Sequence, residues 1–270
     1  MVSYERNPVL HAHLDDVDRD ALFDHVGARV RCLDADRERW AVRLGLLGRT
    51  GSRLAPTPVG LLCFGRRPQL VAPAWGVSAV HICGRNIADE IASVAQLEGD
   101  VGALIEGACD FVRRHALGGG GTPEGTPRAA DAPPGASPEA DLGARTPREY
   151  AEEAVREAIT NALVHRDLRK PGRVGLHLYD DRLEVWSPGG VPEALGDLDE
   201  ALARGGVSMP RNPVLCSVAQ ARGWMRLLGR GLATITRAAR DQNRIEVRVT
   251  PRGVGVTFPS RFPVASPDRQ

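Results

Sequence analysis

The sequence predicts an α+β protein: a C-terminal two-layer α/β sandwich preceded by a smaller α+β domain. Three observations lead there. A strong helix-start signal stands at Thr146-Pro147-Arg148-Glu149, two segments downstream alternate as hairpins, and a Gly/Pro-rich stretch separates them from an earlier mixed region. In that stretch, residues 118–145, Gly occupies 118, 119, 120, 121, 125, 135 and 143, and Pro occupies 123, 127, 133, 134 and 138. Twelve Gly and Pro in 28 residues exceed the ~25–30% level at which a flexible linker is the default. The expected organisation is an N-terminal domain over 1–117, a linker over 118–145, the sandwich over 146–260 and a tail over 261–270.

The elements follow in order. Asp15 to Arg31 places Val17, Ala21, Leu22, Val26 and Val30 near helical spacing, with acids at its start and arginine at its end, as the helix dipole favours. Arg37 to Leu47 is a second helix. Gly76 to Ile82 has the β-branched content of a short strand. Val101 to Ala116 is a third helix, with Leu104, Ile105, Ala108, Phe111 and Val112 on one side. Thr146 to Glu149 forms a capping box with proline at the first helical position, which predicts a helix from Pro147 to about His165. Val174, Leu176 and Leu178 alternate before Asp180-Asp181, and Leu183, Val185 and Ser187 after it, which reads as a hairpin. A second hairpin joins Arg244–Val249 to Val254–Phe258 through Pro251-Arg252-Gly253. Arg-Asn-Pro-Val-Leu occurs twice, at 6–10 and 211–215. Five residues are too few for an architectural repeat and read as a local turn-into-helix preference.

Composition narrows the function. At 270 residues with 42% hydrophobic content the chain can build a sizeable core. A formal net charge of +1 gives no global attraction to nucleic acid or anionic membrane. Lys170 is the single lysine among 35 basic residues, and no Gly-x-x-x-x-Gly-Lys-Ser/Thr sequence exists, so a Walker-type phosphate loop is excluded. Five scattered cysteines without a Cys-x-x-Cys pair suggest reduced thiols, not a disulfide frame or zinc site. With no signal-peptide pattern and no run of 18 apolar residues, a cytoplasmic chain outside the membrane is expected.

The chemistry concentrates in Arg156-Glu157-Ala158-Ile159-Thr160-Asn161-Ala162-Leu163-Val164-His165-Arg166-Asp167. Glu157, Asn161 and His165 recur at steps of four, so an acid, an amide and an imidazole share one face of an otherwise apolar helix. Such groups are costly to bury without partners, and a nucleotide with its metal is one partner that would meet them. A plain surface Glu–Asn pair, worth ~0.2–0.5 kcal/mol, is the alternative. His165-Arg166-Asp167-Leu168 imitates a protein-kinase catalytic loop, but that loop needs asparagine five residues after the aspartate, and Gly172 stands there. His165, Arg166 and Asp167 also suit a helix end, where a cation is favoured.

Four runs together carry a family resemblance: Glu157 to Asp167, Asp181 to Pro192 with Gly189-Gly190, Arg211-Asn212-Pro213, and Gly229-Arg230-Gly231-Leu232. Residues 146–259 resemble the divergent GHKL-type (gyrase, heat-shock chaperone, histidine kinase, MutL) ATP-binding domain of RecG-like and Schlafen-AlbA-associated transcriptional regulators. Residues 14–114, notably Pro56 to Gln69, resemble the segment that precedes it there. The resemblance implies a GHKL-like sandwich that binds ATP and Mg²⁺. It implies that Asn161 holds the metal and that Glu157 orients or deprotonates the attacking water. His165, Arg166, Asp181, Gly189, Gly190, Arg211, Gly229, Arg230 and Gly231 would frame the nucleotide. Mg²⁺ prefers oxygen ligands and leaves much of its shell to phosphate and water, which suits an amide oxygen on a rigid helix. Glycines let backbone approach a ligand closely, and a helix entered from Gly229–Gly231 would offer free N–H groups to phosphate.

The chain departs from the better-known pattern in three places. Ser187-Pro188-Gly189 stands where those ATPases carry an adenine-binding Asp-x-Gly-x-Gly, and Asp181 lies six residues earlier. Arg226 or Leu227 stands where relatives carry a glutamate before the Gly-x-Gly. The AlbA-like nucleic-acid-binding domain of relatives is expected to be missing, so no direct nucleic-acid binding is expected. Two functions remain open: a weak ATP hydrolase or nucleotide-dependent switch in a regulatory, transcriptional complex, working with a protein partner or as a homodimer; or a catalytically silent interaction module that docks on a separate DNA-binding or effector chain.

Overall fold

The computed structural model describes residues 4–116, 150–190, 210–225 and 245–260. The expected linker 118–145, the capping-box residues 146–149, Gly229–Gly231 and the tail 261–270 lie outside the described residues.

Helices α1 (Arg19–Val30) and α2 (Arg37–Leu44) open the fold, followed by the hairpin β1 (Leu47–Thr50) and β2 (Arg53–Pro56). Next come α3 (Pro58–Phe64), the single turn α4 (Pro68–Val71), strands β3 (Val77–Cys83) and β4 (Glu90–Leu97), and α5 (Val101–His115). Beyond residue 149 lie α6 (Glu152–Val164), β5 (Val174–Leu178), β6 (Arg182–Pro188), α7 (Pro213–Ala221), β7 (Glu246–Thr250) and β8 (Gly253–Pro259). Asp18, not the Asp15-Asp16 pair, caps α1, accepting the Ala21 N–H at 3.0 Å. Leu14–Asp16 forms a separate 3₁₀ turn.

Six strands make one mixed sheet in the order β4-β3-β5-β6-β8-β7, antiparallel at every junction except β3–β5. The segment expected as an N-terminal domain therefore contributes two strands to the sheet that carries both predicted hairpins. Helices α5 and α6 pack together on one sheet face. Register aligns apolar residues under them: Leu176 opposite Val185, Val185 opposite Val256, and Leu183 between Leu178 and Phe258. All six are buried. The alternate residues His177, Glu184, Trp186 and Thr257 are half-buried on the other face. The result is an α+β fold with helices layered on a sheet, as expected.

One boundary differs. Helix α6 opens at Glu152, not Pro147, from an Ala151 in extended backbone that makes no side-chain cap. Tyr150 explains the delay. It is buried, its ring meeting Phe258 of β8 edge-on at 6.5 Å, so the chain is anchored on the sheet before it starts to wind. Among the described residues no helix is long and apolar enough to cross a membrane.

Candidate functional site

Helix α6 is seated by Ala154, Val155, Ala158, Ile159, Ala162, Leu163 and Val164, all buried. Arg156 ties it to α5 through both carboxylate oxygens of Glu106, one at 3.1 Å. Ser187 Oγ of β6 donates to the Ala162 carbonyl at 2.7 Å. The helix is thus held from two sides, and its remaining edge presents Glu157 and Asn161, both half-buried.

Those two side chains meet. Asn161 Nδ2 donates to Glu157 Oε1 at 3.2 Å. An ionised carboxylate only accepts, so the amide must turn its NH₂ toward the acid, and the carbonyl oxygen Oδ1 is directed away. The pairing therefore orients an oxygen donor on a rigid helix.

The lower end of α6 is built differently. Burial pushes the His165 imidazole down to about 4, and neighbouring Arg211 adds to the shift, so the ring is neutral near pH 7. The positive charge that a helix end favours is therefore left to Arg166. His165 Nδ1 instead lies 3.9 Å from Cys216 Sγ, a thiol that burial raises to about 12. Arg166 is 1% exposed and donates to the carbonyls of Ala74 at 2.8 Å and Gly172 at 2.9 Å. Burial lowers its guanidinium to about 10, which still leaves it charged.

Asp167 is the hub of this end. It accepts the Arg169 backbone N–H and two Arg169 side-chain N–H groups at 3.0 Å, and Arg211 Nη1 at 3.3 Å. Those bonds from Arg169 lead the forces that hold its carboxyl below the usual range. Its own N–H donates to the Pro188 carbonyl at 2.8 Å, joining helix end to strand end.

Gly189 and Gly190 have internal reasons to be glycine. Gly189 has φ +96°, and a Cβ there would come within 2.5 Å of Asp167 Cβ. A Cβ on Gly190 would meet the Thr250 carbonyl oxygen at 2.7 Å. Arg211 also donates to the Gly190 carbonyl. Glu157, Asn161, His165, Arg166, Gly189, Gly190 and Arg211 are thus drawn onto α6 and its C-terminal surroundings. Asp181 is not. It sits in the β5–β6 turn beside Arg182 and Arg85, at the opposite end of the seven-residue β6 from Gly189, roughly 20 Å along the strand.

Sequence reasoning passed over Asn212, Ser187 and Glu5. Asn212 is buried and its Nδ2 bonds the carbonyls of Val164 and Arg166, both at 2.9 Å, satisfying acceptors that a helix end leaves open. The signal for it was present in Arg211-Asn212-Pro213, quoted only as a motif. Glu5 carried no signal beyond standing next to the first Arg-Asn-Pro-Val-Leu copy.

Residues 172–258 match the family model described as "Putative ATP-dependent DNA helicase recG C-terminal". The match supports an ATPase-like, nucleotide-binding domain. It runs from the loop before β5 to the end of β8 and starts after α6, so Glu157 and Asn161 lie outside the matched residues. Among solved structures, the crystal structure of the DIP2311 protein from Corynebacterium diphtheriae is similar in fold, with a TM-score of 0.63 at 18% identity over 98% of this chain. This chain spans 41% of that one. No curated protein matches. Among the described residues no group of three or more His, Cys, Asp or Glu is arranged to hold a metal ion.

Proposed function

We propose that the chain binds ATP with Mg²⁺ against the upper half of α6 and hydrolyses it slowly, as a switch within a regulatory complex. The observation that carries this reading is the Asn161–Glu157 bond, which aims one neutral oxygen donor away from an acid on a helix fixed at both flanks. The donor set fits magnesium, a hard ion that takes one or two protein oxygens and completes its shell with phosphate and water. Bound there, the ion would supply charge neutralisation at the phosphates. Asn161 would hold it and Glu157 would accept the proton of a water whose oxygen bonds to the terminal phosphorus as the bond to the departing diphosphate breaks. Gly189, Gly190, Arg211 and, beyond the described residues, Gly229, Arg230 and Gly231 would frame the nucleotide. A protein partner or a second copy would read the switch.

A second reading has its own support. His165, Arg166, Asp167, Gly189 and Arg211 are each engaged inside the protein, which is what a fold kept as an interaction module without turnover would require. Titration with ATP, with and without Mg²⁺, separates the two. Binding that needs Mg²⁺ and is lost in Asn161→Ala supports the nucleotide reading. An unresponsive wild-type chain at millimolar ATP defeats it. Hydrolysis that is no slower in Glu157→Gln removes Glu157 as the base.

A further inference from the structure

The duplicated Arg-Asn-Pro-Val-Leu has one copy in a turn and one at the start of a helix, and a single carboxylate stands between them. Glu5 immediately precedes the first copy and is 1% exposed. Its Oε1 accepts the Val214 N–H at 3.0 Å and its Oε2 the Leu215 N–H at 3.1 Å, both in the second copy. These are the second and third residues of α7, whose first residue, Pro213, has no N–H. A helix start normally satisfies such amides with its own N-cap side chain. Asn212 occupies that place but makes no cap, because its amide is turned back to bond the Val164 and Arg166 carbonyls at the end of α6. The N-cap residue is committed to another helix, and Glu5, 209 positions away in sequence from Val214, takes over its task.

The contacts form a continuous series. Glu5 holds the first turn of α7; the residues just before that turn, Arg211 and Asn212, hold Asp167, the Gly190 carbonyl and the last carbonyls of α6. Burial raises the Glu5 carboxyl, against the pull of the two amides and Arg6. A buried acid is costly unless its hydrogen bonds are made. This one makes two, to a helix end whose dipole favours negative charge.

We propose that Glu5 is a positioning residue for the site on α6: by capping α7 from the N-terminal segment it fixes Arg211 and Asn212, and through them the end of the helix that carries Glu157 and Asn161. This rests on the nucleotide reading above only for its consequence, not for its geometry. It also means that the amides at the start of α7 are occupied by an internal carboxylate and are not a phosphate site.

Residue-resolved hydrogen exchange on the full chain tests it, with wild type, Glu5→Ala, Glu5→Gln and Ile82→Ala. Ile82 is a buried residue of β3 at the far, Asp181 end of the sheet, so its truncation destabilises the protein without touching α7. In Glu5→Ala the amides of Val214, Leu215, His165 and Asp167 should exchange about tenfold faster relative to those of β5 and β6, the worth of about one charge-assisted hydrogen bond. Glu5→Gln keeps one acceptor and should give about a threefold rise; it serves if the alanine variant does not fold. Mg·ATP affinity should weaken in the same order, while Ile82→Ala binds as wild type. The proposal is overturned if His165 and Asp167 exchange no faster than the β5 and β6 amides in both Glu5 variants, or if Ile82→Ala reproduces the pattern. A wild-type chain that binds no Mg·ATP defeats the nucleotide reading instead, and the exchange pattern still decides whether Glu5 positions α6.

Discussion

The two ends of α6 carry the same kinds of residue and use them in opposite ways. At Glu157 and Asn161 an acid and an amide bond to each other at a half-buried edge. At His165, Arg166 and Asp167 an imidazole, a guanidinium and a carboxylate are drawn inward, onto Cys216, two carbonyls and two arginines. Four-residue spacing alone makes the two ends look like one functional face. Their partners divide them: at the lower end side chains reach across to other elements and secure the fold, and at the upper end Asn161 bonds within its own helix and keeps its amide oxygen turned away from Glu157.

If that division is correct, the largest effect should come from Arg166. Arg166→Met keeps much of the side-chain length but leaves the Ala74 and Gly172 carbonyls without their donor. Two buried acceptors stripped of charged partners should cost about 4 kcal/mol, read as a lower urea midpoint. A loss below about 1 kcal/mol would mean that this end is not structural.

His165 tests the same end through pH. Its imidazole is held at about 4 in the folded chain against an ordinary 6.5. The unfolded chain binds the extra proton first, so stability should fall as pH drops from about 6.5 to about 4 by on the order of 3 kcal/mol. The contribution of Asp167 lies lower, because its carboxyl is held below the usual 3.8 and protonates only beneath that value. His165→Gln, which cannot charge, should make the upper part of the acid profile less steep, with His25, His81, His115 and His177, also lowered by burial, still contributing there, and leave the lower part in place. An unchanged profile would contradict the neutral ring.

Gly189 follows β6 and packs against the lower end at Asp167. Gly189→Ala asks an alanine to hold φ +96° with its Cβ against Asp167. The cost should be about 2 kcal/mol in thermal unfolding, with Mg·ATP affinity following only as far as the Asp167 region shifts. An alanine variant as stable as wild type but unable to bind nucleotide would make contact with the nucleotide the main reason for Gly189.

The sequence made the elements legible because periodicity and turn chemistry are local. Both hairpins of the ATPase-like region lie where alternation placed them, and α5 spans Val101–His115 against an expected Val101–Ala116. What it hid was set by contacts distant along the chain. Nothing near Thr146 announces that Tyr150 packs on Phe258, so the capping box points to an earlier start for α6 than Glu152. Arg166 reads as a helix-end cation or a nucleotide contact, and the carbonyl it bonds, that of Ala74, stands 92 residues before it. Gly189-Gly190 reads in the sequence as glycine for a ligand's sake, and the close approach of Asp167 and Thr250 gives it a second, internal reason. The Glu157–Asn161 pair was visible because both partners belong to one turn of one helix.

That locality also makes the upper end the cleanest test of the comparison, although its effect on stability is the smallest. Asn161→Ala removes a half-exposed i,i+4 bond, so unfolding free energy should change by no more than about 0.5 kcal/mol. If the amide oxygen holds a cation for the nucleotide, Mg·ATP affinity should still fall at least about tenfold, the loss of one good polar contact to a charged group. Asn161→Asp sharpens the point. It keeps an oxygen donor but sets a second carboxylate against Glu157, so Mg²⁺-dependent binding should survive while ATP binding without the metal weakens by repulsion. Equal losses of affinity and stability in Asn161→Ala would place Asn161 with Arg166, as another residue that holds the helix, and the two ends of α6 would no longer differ in kind.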